Sequence, residues 1–208
     1  MFAISGSFEK VDAVCVTDLL GEKKAGANDK PQTLEELREA RHPGWIPKNR
    51  IIKIVYSKQP KFTGQIDEIW IKRRNGGTAR VIFGSYSQLR DLLQSLRVHV
   101  VWCEEEPSFE VFDELSARTN ATGGFIMVTF CPEDGYTQFY LHLNSDNPLR
   151  KNLRYGIEHC THMDPERRRL LTLKYRDHPM AGPRLDGFPA GEGLCFTRWR
   201  TEIGRAHV

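Results

Sequence analysis

The 208-residue chain contains no apolar run long enough to cross a bilayer, which sets aside a membrane-spanning helix. Its opening, Met-Phe-Ala-Ile-Ser-Gly-Ser-Phe-Glu-Lys, has neither the basic start nor the long apolar stretch of a secretory signal, so the expectation is an intracellular protein. Cys15, Cys103, Cys131, Cys160 and Cys195 are odd in number, widely spaced and include no Cys-x-x-Cys pair, which argues against a disulfide frame or a zinc finger. His159-Cys160-Thr161-His162 has no second ligand pair at finger spacing. A net charge of +3 is too small to argue for nucleic acid by itself, leaving local basic clusters as the only hint. Nowhere does the chain contain Gly-x-x-x-x-Gly-Lys-Ser/Thr, the loop whose amides and lysine cradle phosphates. What remains, 39% hydrophobic and 27% charged residues, describes a soluble globular chain with one sizeable core, or one domain with an appended piece.

One stretch organises the rest: Val98 to Pro107, Val-His-Val-Val-Trp-Cys-Glu-Glu-Glu-Pro. A short, nearly all-apolar run that ends in three carboxylates reads as a buried parallel strand whose carboxyl end opens into a cleft, where ligands of open α/β sheets collect. In nucleotide hydrolases an acid at this place sits beside the phosphate-bound magnesium, and in one large branch the next acid positions the attacking water. Glu104 and Glu105 fit those two roles. The plain alternative is a solvated helix start, because negative side chains favour the positive end of a helix and Pro107-Ser108 looks like a helix entry.

Around that stretch, apolar runs and alternation predict strands at Phe2–Ser5, Ile51–Tyr56, Ile66–Lys72, Thr78–Phe83 and Phe125–Phe130. Helices are expected from Phe8 to Leu20, stopped by Gly21, and from the capping box Thr33-Leu34-Glu35-Glu36 to about Arg41. Leucines 89, 92, 93 and 96 mark another, and Phe109, Phe112 and Leu115 line one side of a fourth that Gly123-Gly124 ends. Arg73-Arg74-Asn75-Gly76-Gly77 carries the glycines of a hairpin turn; Arg73 and Arg74 at its tip could meet phosphates or simply be solvated. Two strands joined by one helix, both ending in polar residues at the same edge, would bring Thr129 near Glu104 and Glu105. Its hydroxyl could bond to a water or γ-phosphate there, or cap the following turn. Further strands are expected around Gln138–Leu143 and Asn152–Glu158. After them Asp164-Pro165-Glu166 opens a basic helix, Arg167 to Arg169 with Lys174 and Arg176, which could lie on a phosphate backbone or be a solvated face.

Taken in order, Val-Val-Trp-Cys-Glu-Glu-Glu-Pro, Glu114-Leu115-Ser116-Ala117-Arg118, Thr122-Gly123-Gly124 and Thr129-Phe130-Cys131-Pro132-Glu133-Asp134-Gly135 resemble the ATPase domain of the large terminase subunit of tailed bacteriophages. That family has a Walker B strand ending in three acids and a proline, then a helix ending in arginine, a Gly-Gly pair, and a Thr-x-x-Pro-x-x-Gly coupling motif. The likeness covers roughly Ile51 to Asp164.

The resemblance implies an α/β P-loop NTPase core of the ASCE/RecA-like, three-layer kind, incomplete, with a small helical linker subdomain. It implies a partial ATPase domain over 1–160 without the phosphate-binding loop, and a linker over 161–201 leading toward a nuclease domain that the chain lacks. Residues 202–208 read as the translation of a sequencing adapter, so the chain is expected to be a fragment. The family uses ATP and Mg2+ to drive double-stranded DNA into a procapsid in the host cytoplasm. Its partners are the portal protein and the small terminase subunit, and it works as a homo-oligomeric ring. Residue by residue, the resemblance makes Glu104 the magnesium-side carboxylate, Glu105 the water-orienting one, Thr129 the coupling residue, and Arg118 a sensor of the γ-phosphate. Arg73, Arg74 and Arg168 are the candidate nucleic-acid contacts. A first acid of Glu instead of the family's usual Asp shifts that carboxylate. Without the phosphate loop, little or no ATP hydrolysis is expected of this chain alone. The alternative functions are a non-catalytic nucleic-acid-binding module and a related helicase-like ATPase.

Overall fold

The computed structural model describes residues 1–27, 31, 33–58, 64–88 and 96–190. The chain packs as two compact units, Met1–Phe130 and Cys131–Val208. The first is built on a six-stranded sheet with the order β2-β3-β4-β1-β5-β6. Its strands are β1 (Phe2–Ser5), β2 (Ile51–Tyr56), β3 (Ile66–Lys72), β4 (Thr78–Ser85), β5 (Val100–Glu104) and β6 (Phe125–Thr129). From β4 through β1 and β5 to β6 every pairing is parallel; β2, β3 and β4 form an antiparallel wing.

β1 has no polar residue until Ser5, so it can sit mid-sheet with both faces covered, and all four of its residues are buried. Ala3 is in register with Phe83 and Trp102, and this row meets Val11, Cys15, Val16, Leu19 and Leu20 of the first helix, α1, residues 8–20. On the other face Phe2 and Ile4 pack with Val101, Cys103 and Leu115. Helices on both faces of a largely parallel sheet are the expected three-layer α/β arrangement. Burying Phe2 and Ile4 completely stabilises the layer by about 2 kcal/mol each as an upper estimate.

α1 opens and closes as α-helix but is π-helical over Val11–Val16. Widening there lets Val11, Cys15 and Val16 all reach the core. The short helix α2 (Leu34–Ala40) starts as its sequence dictates, with the Thr33 hydroxyl accepting from the Glu36 N–H at 3.1 Å. α3 (Phe109–Asn120) is capped by Ser108, and its buried residues are Leu115 and Thr119, with Val111 partly covered and Phe109 and Phe112 only half-buried. The Gly-Gly stop is obligatory: Gly123 has φ +63°, and a Cβ on Gly124 would lie 2.2 Å from the His99 carbonyl oxygen.

In the second unit two expectations fail. Residues expected as a strand form the helix α4 (Gln138–Leu143). Thr137 caps it by accepting from the Tyr140 N–H at 3.0 Å, and the adjacent Phe139 and Tyr140 are both buried, which an alternating strand would not allow. The stretch from Asn152 has no regular structure before the 3-10 turn Ile157–His159, because Asn152 donates to the Leu143 carbonyl at 2.9 Å instead of joining a ladder. The basic helix does form, as α5 (Pro165–Tyr175), with the Asp164 carboxylate accepting from the Glu166 and Arg167 N–H groups. Residues 89–95 of the expected leucine helix, Cys195, and the terminal 202–208 lie outside the described residues.

Candidate functional site

The parallel register assembles the candidate site. β5 and β6 align Trp102 with Met127 and Glu104 with Thr129, so Trp102, Glu104 and Thr129 share one face at the carboxyl edge. The Thr129 hydroxyl accepts from the Trp102 indole N–H at 2.8 Å and donates to Glu104 Oε2 at 2.5 Å. Trp102 is nearly buried and its ring stacks on Trp45, with centroids 6.1 Å apart. Burial pushes the Glu104 carboxyl above its ordinary range, and the nearby Glu105 and Asp18 add to that; the Thr129 bond opposes it.

Glu105 begins the turn after the strand and is the sole described non-glycine residue with a left-handed backbone, φ +71°. The strain is held from both sides. Its N–H donates to the Thr129 carbonyl at 2.8 Å, and its carbonyl accepts the Tyr86 hydroxyl at 2.8 Å. The turn sends the side chain toward the start of α1, where Lys10 Nζ pairs with Oε1 at 2.5 Å. Gly6 makes room: a Cβ there would stand 3.0 Å from Oε2. Cys15 and Cys103, on the two faces beneath this edge, are each pushed up to about 12 by burial, which keeps both as neutral thiols in the core near neutral pH.

No family model matches the chain, and no solved structure matches it. The terminase large subunit of Salmonella phage P22 is 30% identical to it over 172 residues, 77% of this chain and 33% of that protein. The chain belongs to the terminase large subunits. It spans about a third of the length of that terminase.

The terminase-like residues do not all converge. Glu104, Glu105 and Thr129 meet at one edge, as their spacing led us to expect. Arg118 stands near the far end of α3, roughly 14 Å along the helix from its start beside the acids. Its guanidinium is held by Glu114, with Nε at 2.9 Å and Nη2 at 2.5 Å from Oε1. Arg73 and Arg74 are exposed at the β3–β4 turn, where Gly76 and Gly77 have positive φ; that turn precedes β4, so it lies at the edge opposite the acids. In the second unit Arg168 is half-buried, and Nη1 donates to the Glu158 carbonyl at 3.4 Å.

Lys10, Tyr86, Trp102 and Gly6 carry the site's geometry without having been singled out in the sequence. Only Trp102 left a signal there, since two residues before Glu104 on a strand is the same face. The other three come from distant elements, and no spacing announces them.

Proposed function

We propose that this chain contributes the acid-edge half of a terminase ATPase, the motor that hydrolyses ATP to move double-stranded DNA into a procapsid. The observation that carries the reading is the cluster itself: a carboxylate hydrogen-bonded across the sheet to a threonine hydroxyl, followed by a glutamate fixed in a strained turn. In this reading the ATPase domain covers 1–160 and a linker covers 161–201.

Carboxylate and hydroxyl oxygens are the hard donors Mg2+ prefers, so the residues present fit the metal side of a nucleotide site. They do not supply a phosphate cradle, since the glycine-lysine loop is missing from the sequence. Glu104 would hold the metal, which when bound neutralises charge on the transferring phosphoryl group. Glu105 would orient the attacking water and accept its proton, and its fixed backbone keeps the carboxylate from needing reorganisation. Thr129, bonded to both Trp102 and Glu104, would report through β6 whether that carboxylate is engaged. Arg118 cannot reach the acids of its own chain, so a role at nucleotide would be exerted on a neighbouring copy in a ring. Arg73, Arg74 and Arg168 are the proposed nucleic-acid contacts, and the portal and small terminase subunit the proposed partners, in the host cytoplasm.

The test joins the chain to a terminase segment bearing the glycine-lysine loop. Glu105→Gln should lower turnover by about a hundredfold or more while ATP still binds, because the group that orients water is lost and the binding groups are not. Turnover equal to that of the unsubstituted protein would refute the assignment.

A further inference from the structure

Residues 48–80 carry nine lysines and arginines against only Asp67 and Glu68, a net of +7 in a chain whose total is +3. The remainder is therefore acidic, and the positive charge is concentrated in the segment of sequence that carries β2, β3 and β4. The register shows where it goes. Lys53 pairs with Trp70 and Trp70 with Arg80, forming one row across the three strands; Lys72 and Thr78 pair on the same face. The opposite face carries the buried Ile51, Ile69 and Val81. Lys53, Lys72 and Arg80 are exposed, while Trp70 is half-buried.

The row is internally ordered. Lys53 Nζ stands 5.6 Å from the Trp70 ring centroid. Glu68, two residues along the same face, accepts from the Trp70 indole and pairs with Arg80 at 3.3 Å. Among the described residues no carboxylate pairs with Lys53, Lys72, Arg73 or Arg74. Four cations thus lie on one face of the wing and its adjoining turn.

We propose that this open face of the wing binds the phosphate backbone of duplex DNA. Lys53 and Arg80 flank Trp70 across two interstrand spacings, about 10 Å, which is on the order of the width of a DNA groove. Charge complementarity selects the partner. A single strand would want exposed rings on which bases stack, and Trp70 is instead covered by Lys53 and held through its indole N–H. The proposal rests on the reading that duplex DNA is the substrate, and it assigns that substrate a surface three strands away from the acid edge.

The test is anisotropy of a fluorescent duplex titrated with the 208-residue chain in nucleotide-free buffer from about 50 to 200 mM salt. Four phosphate contacts give an expected slope of log K against log salt of about −3 to −4. Lys53→Glu with Lys72→Glu should weaken binding about tenfold or more and flatten the slope by about 2, with unfolding temperature unchanged because both side chains are exposed. Lys53→Arg should bind as the unsubstituted chain does. Lys151→Glu, an exposed residue of the second unit given no part in binding, should also leave it intact. An unchanged slope in the double charge reversal would overturn the proposal. So would an equal loss of binding in Lys151→Glu, or tighter binding to single strands, duplex RNA or anionic vesicles than to duplex DNA. Because no nucleotide is present, a wrong role for Glu105 cannot produce these failures, and intact hydrolysis cannot mask them.

Discussion

The acid edge and the basic wing are parts of one sheet that recruit their residues in opposite ways. At the edge, Lys10, Tyr86, Glu105 and Thr129 come from four separate stretches and are tied by individual hydrogen bonds of 2.5 to 2.8 Å. In the wing, Lys53, Trp70, Lys72 and Arg80 come from one contiguous meander and act by density of charge. A site that must aim a single proton needs the first kind of construction. A surface that must attract a polyanion needs only the second. Substitutions at the edge should therefore disturb stability, and substitutions in the wing should leave it nearly untouched.

The largest effect is expected at Trp102. Trp102→Ala removes a nearly buried ring stacked on Trp45 and frees Thr129, and chemical denaturation should show a loss of about 3 to 5 kcal/mol. Thr129→Val keeps the shape but strips partners from the Trp102 N–H and Glu104, so a loss of about 1 to 3 kcal/mol is expected, with Thr129→Ser much milder. Glu105→Gly should stabilise by up to about 1 kcal/mol, because glycine accepts the left-handed backbone freely and the exposed Lys10 pair contributes little. A destabilised glycine variant would mean that the turn is not strained.

Glu104→Gln gives a smaller change, with a sign set by pH. The carboxyl is raised in the folded protein, chiefly by burial, so the folded state holds the proton more tightly than the unfolded chain. That contribution is present below the ordinary carboxylate range and is lost as pH rises through the folded value. The glutamine variant should be the more stable protein near neutrality, by less than about 1 kcal/mol after solvent screening, and its advantage should vanish in acid. For comparison, Lys53→Glu should change unfolding by less than about 0.5 kcal/mol, since it is an exposed residue with no ion pair to lose.

How much of this could be read beforehand follows from the same contrast. β5, its acids and the Thr129 strand were legible because an apolar run ending in carboxylates and a Gly-Gly stop are local patterns with local causes. The helix 138–143 was not, since Gln-Phe-Tyr-Leu-His-Leu is short enough for either period and its Thr137 cap decided the matter. Lys10 and Tyr86 were invisible because only the parallel order β4-β1-β5 brings the ends of β1 and β4 beside Glu105. The wing lay in plain view as composition, but its face could be assigned only once the register paired Lys53 with Trp70 and Trp70 with Arg80.

The most direct test of the account is the Trp102 indole resonance in a 15N-correlated NMR spectrum, followed through solvent exchange in the Thr129 variants. If the crossover from β5 to β6 does join these groups, the Trp102 N–H exchanges slowly in the unsubstituted chain and in Thr129→Ser. In Thr129→Val it should shift and exchange fast. An indole signal indifferent to residue 129 would contradict the convergence of tryptophan, threonine and glutamate on which the proposed ATPase role stands.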